Sequence, residues 1–499
     1  MELQFDQSVI SCLEPVLCQN QNQELTQELR LPDGMPDVGR VICAWAQPIV
    51  RSKEWRSDSV SMSGGLMVWV LYAPEDGTQE RCVDSWIPFQ MKWDIPKTDA
   101  DGYLRLICQP RFADARVVSA RKMMIRAGIR AMADAFVPVK RNLYSCAEAP
   151  QNVQLLKNTY PIRLIREAGE WQFQIDEELQ LSANCPAAEK LIYFTVTPGI
   201  TEQRISGDKV IFRGNTNLHL LYLSEEGKLY SCDIEHPFSQ LAHLENTYEP
   251  DAQADVSLSI TALEAELTEE GHIRLKCGLV GQYLVDDVQL VELVEDAYST
   301  THDVGLIQQE LLLPAILETR REMHRMEQAV DQPITNGIDT VLYPDHPQQS
   351  REGDRIVFNL SGQGIVLGYD ENQALRSCTV RWEDEYPIDA DADSMVTVNS
   401  HGSISPQSRG NGSQLTVMGE YPLDITTTAT RGMQMVTGLQ IGAERSSDST
   451  KPSLILCRAG SRSLWEMAKE CGSTTDAIRR VNKLEGEPDR GRMLLIPLG

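Results

Sequence analysis

The feature that most constrains this chain is a sequence pattern that occurs three times at the spacing of a whole domain. Each copy contains, in order, an internal glycine, an apolar run that ends in tyrosine, an acidic turn, a cysteine and a later proline. The tyrosines are Tyr72, Tyr222 and Tyr369, which lie 150 and 147 residues apart. Gly64 and Gly214 each precede their tyrosine by eight residues. The shared order predicts repeated domains rather than one large core.

The third copy matches the other two least well. Its glycine, Gly362, precedes Tyr369 by seven residues, and Cys378 follows that tyrosine by nine residues where the other copies have ten. The same acidic turn and the later Pro387 are nevertheless present. We therefore include it as a repeat of the same topology.

Side-chain alternation within the repeat predicts a β-hairpin. In the second copy apolar and polar residues fall on opposite parities of one strand. The apolar parity is Phe212, Leu218, Leu220 and Tyr222, and the polar parity is Arg213, Asn215, Asn217 and His219. We expect His219 to be exposed or at a rim, and the internal glycine to mark a bulge or a close backbone approach. Trp69 lies on the opposite face of the strand from Tyr72. This predicts either that both faces of the strand are buried or that Trp69 contacts another domain.

The fold class expected is mainly β, with three tandem antiparallel β-sandwich-like repeats and a small α+β module. Residues 121–132 have helix-forming composition, but their position in the repeat favours a strand. Residues 306–330 interleave Glu and Arg with Leu, Ile and Met, which predicts a helical connector. The expected boundaries are an N-terminal segment 1–19, repeats 20–145, 155–300 and 335–445, a connector 301–334, a linker 446–452 and a C-terminal module 453–499.

Charge divides the chain into two parts. The formal net charge is −26, yet residues 452–499 contain eight basic and six acidic side chains. An acidic chain is a poor partner for nucleic acid or for anionic lipid. We find no signal-peptide pattern at the N-terminus and no apolar run long enough to span a membrane. The twelve cysteines form no C-x-x-C pair and are expected to be reduced thiols.

Catalytic and metal-binding patterns are missing from the sequence. The eight histidines form no zincin-like motif, and neither phosphate-binding glycine loops nor a Gly-x-Ser-x-Gly motif occurs. The acidic segment 389–393 begins like a calcium loop but has Ser394 where that loop needs glycine. We therefore expect no enzyme, no cofactor and no metal.

The C-terminal module has a βααβ outline. Residues 454–457 form an apolar strand, and the helix that begins near Ser463 ends at Gly472. Asp476 opens a second helix, and residues 493–497 form the closing strand. This module resembles LysM in its Leu464-Trp465, Val481-Asn482 and Leu495-Ile496-Pro497 segments. The acidic residue usual in the first turn of that family is replaced around Ser461-Arg462.

The upstream repeats resemble SPOCS domains over residues 20–440. The segment 31–37, Leu-Pro-Asp-Gly-Met-Pro-Asp, and the hairpin from Tyr72 to Phe89 carry this resemblance. Tandem SPOCS-like repeats before one LysM module resemble the SipL type of spore-coat morphogenetic proteins. The resemblance implies a scaffold in the mother-cell cytoplasm, gathered at the forespore surface. It also implies that the LysM module binds a coat-basement ATPase resembling stage IV sporulation protein A.

Two site hypotheses follow for the C-terminal module. A protein-binding patch is expected at Ile455, Arg458, Arg462 and Trp465, because tryptophan and arginine are frequent interface anchors. Burial of Trp465 in the module core remains an equal alternative.

The second hypothesis is binding of peptidoglycan or cortex glycan, which the LysM resemblance implies. Its groove would contain Gly460, Ser461, Ser463, Leu464, Asn482, Leu484 and Glu485. A wall hydrolase targeted by LysM is a third hypothesis, against which the missing catalytic residues count.

Overall fold

The computed structural model describes most of the chain. The described residues are 2–146, 149, 152–182, 184–330, 334–352, 355–389, 394–400, 405–411, 414–445 and 453–498. The acidic segment 389–393 and the Asn-Gly turn at 411–412 lie partly outside these residues, and the linker 446–452 lies wholly outside them. Within this part of the chain the fold is mainly β, as predicted, with small antiparallel sheets. No helix found there has the length and apolarity to cross a membrane.

The first unit contains two antiparallel three-stranded sheets. Its strands, after a short β1 (Glu2–Gln4), are β2 (Asp6–Arg30), β3 (Val38–Trp55), β4 (Ser59–Pro74), β5 (Arg81–Asp94), β6 (Tyr103–Ser119) and β7 (Lys122–Ser145). One sheet has the order β2–β7–β6 and the other β3–β4–β5. Residues 121–132, with their helix-forming composition, lie almost entirely in strand β7, as the repeat predicted.

The second unit has the same strand order. Its strands are β8 (Val153–Leu179), β9 (Ala188–Ile205), β10 (Gly207–Ser224), β11 (Leu229–Tyr248), β12 (Gln253–Leu267) and β13 (Ile273–Ser299). The sheets are β8–β13–β12 and β9–β10–β11. Tyr72 in β4 and Tyr222 in β10 therefore lie in equivalent central strands.

The third unit follows the same plan with two additional short strands. Its strands are β14 (His302–Ala329), β15 (Asn336–Pro344), β16 (Gln348–Glu352), β17 (Arg355–Tyr369), β18 (Leu375–Asp389), β19 (Met395–Asn399), β20 (Ser405–Asn411) and β21 (Gln414–Glu444). The central strand β17 pairs with β15, β16 and β18, and β21 pairs with β14, β19 and β20. Strand β1 also pairs with β21, so the N-terminus completes a sheet of the third unit.

Two of the predicted boundaries are wrong. The expected helical connector is strand β14, which pairs with β21 along its length and is the counterpart of β2 and β8. Pro314 lies in the middle of this segment, where it would remove a helical hydrogen bond, and Leu311, Leu313 and Ala315 are buried with the alternation of a strand. The segment 1–19 is likewise mostly part of β2, so the first unit begins before residue 20.

The glycine and tyrosine of the repeat have defined packing roles. A Cβ atom at Gly64 would overlap the carbonyl oxygen of Ile49, and one at Gly214 would overlap that of Gly199. Each glycine also lies against a phenylalanine ring. The predicted close approach is therefore present in both copies.

The tyrosine hydroxyls distinguish the third unit from the other two. Tyr72 donates a hydrogen bond to the carbonyl oxygen of Pro36, and Tyr222 donates one to that of Pro186, both at 3.0 Å. Tyr369 instead packs against a cluster between units and not in its own core. The one-residue difference in spacing seen in the sequence has moved this side chain to the other face of its strand.

The three units share an apolar cluster formed by their central hairpins. It contains Cys43, Trp45, Trp69 and Leu71 from the first unit, Tyr193 and Leu221 from the second, and Leu367 and Leu375 from the third. Trp69 is 6% exposed and lies edge-on against Phe194, so it contacts another unit, one of the two predicted outcomes. Each unit thus contacts the other two.

The C-terminal module has a two-stranded sheet and two short helices. These elements are β22 (Leu454–Arg458), α1 (Leu464–Cys471), α2 (Thr475–Asn482) and β23 (Met493–Pro497). Ser463 caps α1 and forms a capping box with Glu466, and Gly472 ends that helix with a left-handed conformation. Thr474 caps α2. The order is the predicted βααβ.

Candidate functional sites

Trp465 joins the C-terminal module to the second unit. Its indole N–H donates to Asp296 Oδ2 at 2.8 Å, and its ring lies edge-on to Tyr298 with centroids 4.8 Å apart. Lys469 Nζ contacts both oxygens of Asp296, at 2.7 and 2.8 Å. We name Asp296, Tyr298, Trp465 and Lys469 the module junction. The indole and aromatic face of Trp465 are therefore engaged within the chain.

Tyr298 connects the two sides of this junction. Its hydroxyl donates to the carbonyl oxygen of Ser473 at 2.9 Å, and its ring belongs to the apolar core of the module. Burial, followed by the charge of Asp296, raises the pKa of Tyr298 to about 12. Its phenol therefore remains a neutral donor at physiological pH.

The other residues of the predicted protein-binding patch have other partners than those of the module junction. Arg462 forms an ion pair with Glu470 and donates to Cys457 Sγ. Arg458 is exposed, and Ile455 is half-buried opposite Ile496 in the two-stranded sheet. The patch is thus divided between the exposed part of the module and the module junction.

An exposed apolar surface covers one face of the module's sheet. Leu454, Leu456, Met493 and Leu495 are 45%, 59%, 50% and 37% exposed, and Leu456 is the register partner of Leu495. We name these four residues the sheet face. The sequence did not identify it, because runs such as Leu-Ile-Leu and Met-Leu-Leu-Ile do not reveal which parity is buried.

Several residues of the predicted glycan groove have structural roles. Leu464 is fully buried, and its backbone N–H donates to Glu487 Oε2 at 2.8 Å. The amide of Asn482 donates to the carbonyl of Leu495 at 2.6 Å and accepts from its N–H at 2.8 Å. Ser463 is the cap of α1. These groups already hold the module together.

The remaining residues of the predicted groove differ in exposure. Gly460, Ser461 and Glu485 are exposed, and Leu484 is half-buried against the module core. Glu487 bridges from the loop after α2 to the start of α1, across the region where the groove was expected.

A partly buried ionic network joins the second and third units. His219 Nδ1 lies 2.6 Å from Asp233 Oδ1, and its Nε2 lies 2.7 Å from Asp339 Oδ1. The hydroxyl of Tyr193 donates to the other oxygen of Asp339 at 2.7 Å. Tyr193 in turn stacks on Trp45 of the first unit at 4.0 Å. We name Trp45, Tyr193, His219 and Asp339 the central junction.

Of the two positions expected for His219, exposed or at a rim, the exposed one is wrong. Its side chain is 17% exposed, because the third unit covers the polar parity of β10. Burial alone would lower the pKa of His219, but the charge of Asp339 and the hydrogen bonds that His219 donates to both carboxylates raise it to about 10. His219 is therefore a partly buried cation at neutral pH.

A cavity of about 840 Å³ adjoins the central junction. All three units line it, and His219, Asp233 and Thr340 are among the lining residues. Ser257 and Thr340, which are 2% and 7% exposed, also line the cavity. Their hydroxyls have no hydrogen-bond partner among the residues that the structure describes.

The comparisons with known proteins give one match. A family model described as SipL, SPOCS domain matches residues 187–268, from one residue before β9 to one residue after β12. This part of the chain is thus similar to a SipL SPOCS domain, which indicates a role related to sporulation. No curated protein matches the chain, and no solved structure matches it.

Proposed function

We propose that this protein is a non-enzymatic scaffold of the spore coat or envelope. In this proposal the three β units are tandem SPOCS-like, β-sandwich-like domains and the C-terminal module is a LysM module. The module binds a coat-basement ATPase resembling stage IV sporulation protein A, in the mother-cell cytoplasm at the forespore surface. The match to a SipL SPOCS domain over residues 187–268 is the observation that carries the proposal.

The shared strand order supports extending that match to the other two units. The matched segment contains β9, β10, β11 and β12, whose counterparts in the first unit are β3, β4, β5 and β6. The hydrogen bond from Tyr222 to Pro186 has its counterpart from Tyr72 to Pro36 at a separation of 150 residues. We therefore propose domains at 6–145, 153–299 and 302–444, followed by the module at 453–499.

The sheet face is the surface we assign to the partner. Leu456 and Leu495 are adjacent and exposed, and the side of the module that carries Trp465 is already packed on the second unit. A contiguous apolar surface on a small module is typical of a protein–protein contact. Arg458, the register partner of Met493, adds a cation beside that surface. A partner with an apolar patch and adjacent acidic groups fits it.

Glycan binding by the module is the second candidate function. The exposed Gly460 and Ser461 favour it, because small residues leave backbone groups accessible to sugar hydroxyls. The amide of Asn482 and the N–H of Leu464 have protein partners, which reduces the number of groups left for a glycan. Protein binding therefore remains the leading proposal.

The test replaces both adjacent leucines, as Leu456→Asn with Leu495→Asn, in the full chain. We expect at least tenfold weaker binding of the purified coat-basement ATPase in biolayer interferometry, because truncating interface anchors costs about 1–2 kcal/mol each. The matched control is Leu290→Asn. Leu290 is 73% exposed on the second unit, away from the module.

A second arm measures binding of chitin oligomers to the same proteins. Partner binding that survives the double substitution would rule out the sheet face as the binding surface. Chitin binding by the unmodified chain without any binding of the ATPase would establish the glycan function instead. Circular dichroism of each variant checks that the fold is retained.

A further inference from the structure

Two thiols of the second unit lie in direct contact. Cys185 Sγ and Cys232 Sγ are 2.8 Å apart, although 47 residues separate them in the sequence. Cys185 lies in the turn before β9 and is half-buried, and Cys232 lies in β11 and is 6% exposed. We propose that Cys185 and Cys232 are a modification site at which a low-molecular-weight disulfide reversibly converts the two thiols into a disulfide bond.

The backbone holds Cys185 in place. Its N–H donates to the carbonyl oxygen of Ser182 at 2.8 Å, which closes the turn. The next residue, Pro186, accepts the hydrogen bond from Tyr222 at 3.0 Å. Cys232 is fixed in the opposite strand, where it pairs with Leu220. Hydrogen-bonded backbone thus holds both sulfur atoms next to each other, which favours bond formation over random collision.

The first unit provides an internal comparison. Its equivalent turn is closed by Met35 N–H donating to Pro32. The sequence pattern aligned Cys82 with Cys232, but the strand pairing makes Val83 the counterpart of Cys232, because Val83 pairs with Val70, two residues before Tyr72. Met35 and Val83 pack in the core of that unit. The second unit therefore fills the same two positions with thiols. The first unit forms the corresponding apolar contact with Met35 and Val83, so packing at these two positions does not require cysteine.

Exposure determines the order of the chemical steps. The thiolate of Cys185, the more accessible sulfur, attacks the small disulfide, forms a mixed disulfide and releases one thiolate. The thiolate of Cys232 then attacks the sulfur of Cys185 and releases the second small thiol. Two protein thiols lose two hydrogen atoms, and the reagent gains them as two thiols. A reducing thiol reverses both steps.

The bond would fix β11 to the turn before β9. It would close a loop from Cys185 to Cys232 that contains β9 and β10, including most of the match to the SPOCS family model. The buried thiol of Cys232, whose pKa burial raises to about 11, becomes a poor attacking group at neutral pH. We therefore expect slow oxidation, complete over hours and faster at alkaline pH.

The test exposes the purified full chain to glutathione disulfide, followed by alkylation and peptide mapping. We expect a Cys185–Cys232 linked peptide in the oxidised sample and its loss after treatment with dithiothreitol. Cys185→Ser should abolish the linked peptide and leave Cys232 as a free thiol. Cys277→Ser, which removes a buried thiol from the core of the same unit, should leave it unchanged.

Two outcomes would overturn the proposal. One is recovery of both cysteines as separately alkylated thiols after prolonged oxidation. The other is a stable mixed disulfide of glutathione with Cys185, which would mean that Cys232 does not reach it. Neither outcome depends on the module or its partner, so this test is independent of the proposed function.

Discussion

The central junction and the module junction join parts of the same chain in different ways. At the central junction Asp339 and Tyr193 are buried, the side chain of His219 is 17% exposed, and the ring of Trp45 stacks on Tyr193. At the module junction, Asp296 is 22% exposed and Lys469 is 43% exposed. A buried charge without its partner is costly, whereas an exposed ion pair contributes little. The comparison implies a permanent central assembly and a reversible attachment of the module.

Removing Asp339 is expected to have the largest effect. Asp339→Ala leaves His219 with only the exposed Asp233 as its ion partner and leaves Tyr193 without its acceptor. We expect the free energy of unfolding of the β units to fall by about 3–5 kcal/mol. Urea unfolding followed by tryptophan fluorescence measures this, since Trp45 and Trp69 lie in the same cluster.

The matched control for Asp339 is Asp233→Ala. Asp233 also pairs with His219, but its side chain is 70% exposed. We expect a loss of about 1 kcal/mol or less. Similar losses for Asp233→Ala and Asp339→Ala would show that burial does not govern the central junction, and the comparison would fail.

The titration of His219 gives the second prediction. Its pKa is about 10 in the folded chain and 6.5 for an ordinary histidine, so the protonated form stabilises the fold. This contribution is complete below pH 6.5 and is lost as the pH rises toward about 10. We expect the difference in unfolding free energy between the unmodified chain and His219→Gln to shrink by about 4 kcal/mol over that range.

The subtraction is necessary because buried tyrosines and cysteines also titrate at alkaline pH. Tyr193, for example, has a pKa raised by burial and by Asp339. Titrating groups that the unmodified chain and His219→Gln share change both unfolding free energies equally, so they cancel in the difference between the two. A difference that stays constant between pH 6.5 and pH 10 would mean that His219 carries no additional charge in the folded state.

Local sequence pattern predicted the features that depend on neighbouring residues. The alternation around Tyr222 identified a strand, and the position of Gly64 and Gly214 identified a close backbone approach. The parity of Trp69 indicated a possible contact between units. Each of these follows from the period-2 geometry of a strand and the small size of glycine.

Long-range pairing explains what the sequence did not predict. Strand β14 has the composition of a helix, and its partner β21 begins 85 residues after β14 ends. His219 lies on a polar face, and Asp339 of another unit covers it. The sheet face lies in two apolar strands, and the packing of the two helices determines which side of those strands is buried. In each case a distant segment determines the environment, and no local pattern contains that information.

Removing Asp296 at the module junction is expected to have a smaller effect than removing Asp339 at the central junction. Asp296→Ala removes the acceptor of Trp465 and the ion partner of Lys469, but the contact between Tyr298 and the module core remains. We expect the docked state to lose about 1–2 kcal/mol, a five- to thirtyfold increase in the undocked population. Hydrogen–deuterium exchange of peptides covering α1 and the end of β13 should accelerate by that factor.

The control for Asp296 is Glu292→Ala in the same strand, because Glu292 pairs with Lys157 and not with the module. Exchange in α1 should be unchanged in this variant. Asp339→Ala should also leave the protection of α1 intact under conditions where the β units remain folded, since the two junctions share no residue. Faster exchange at α1 in Asp339→Ala under those conditions would show that the module reports the state of the central assembly. The attachment of the module would then be coupled to the packing of the three units and not independent of it.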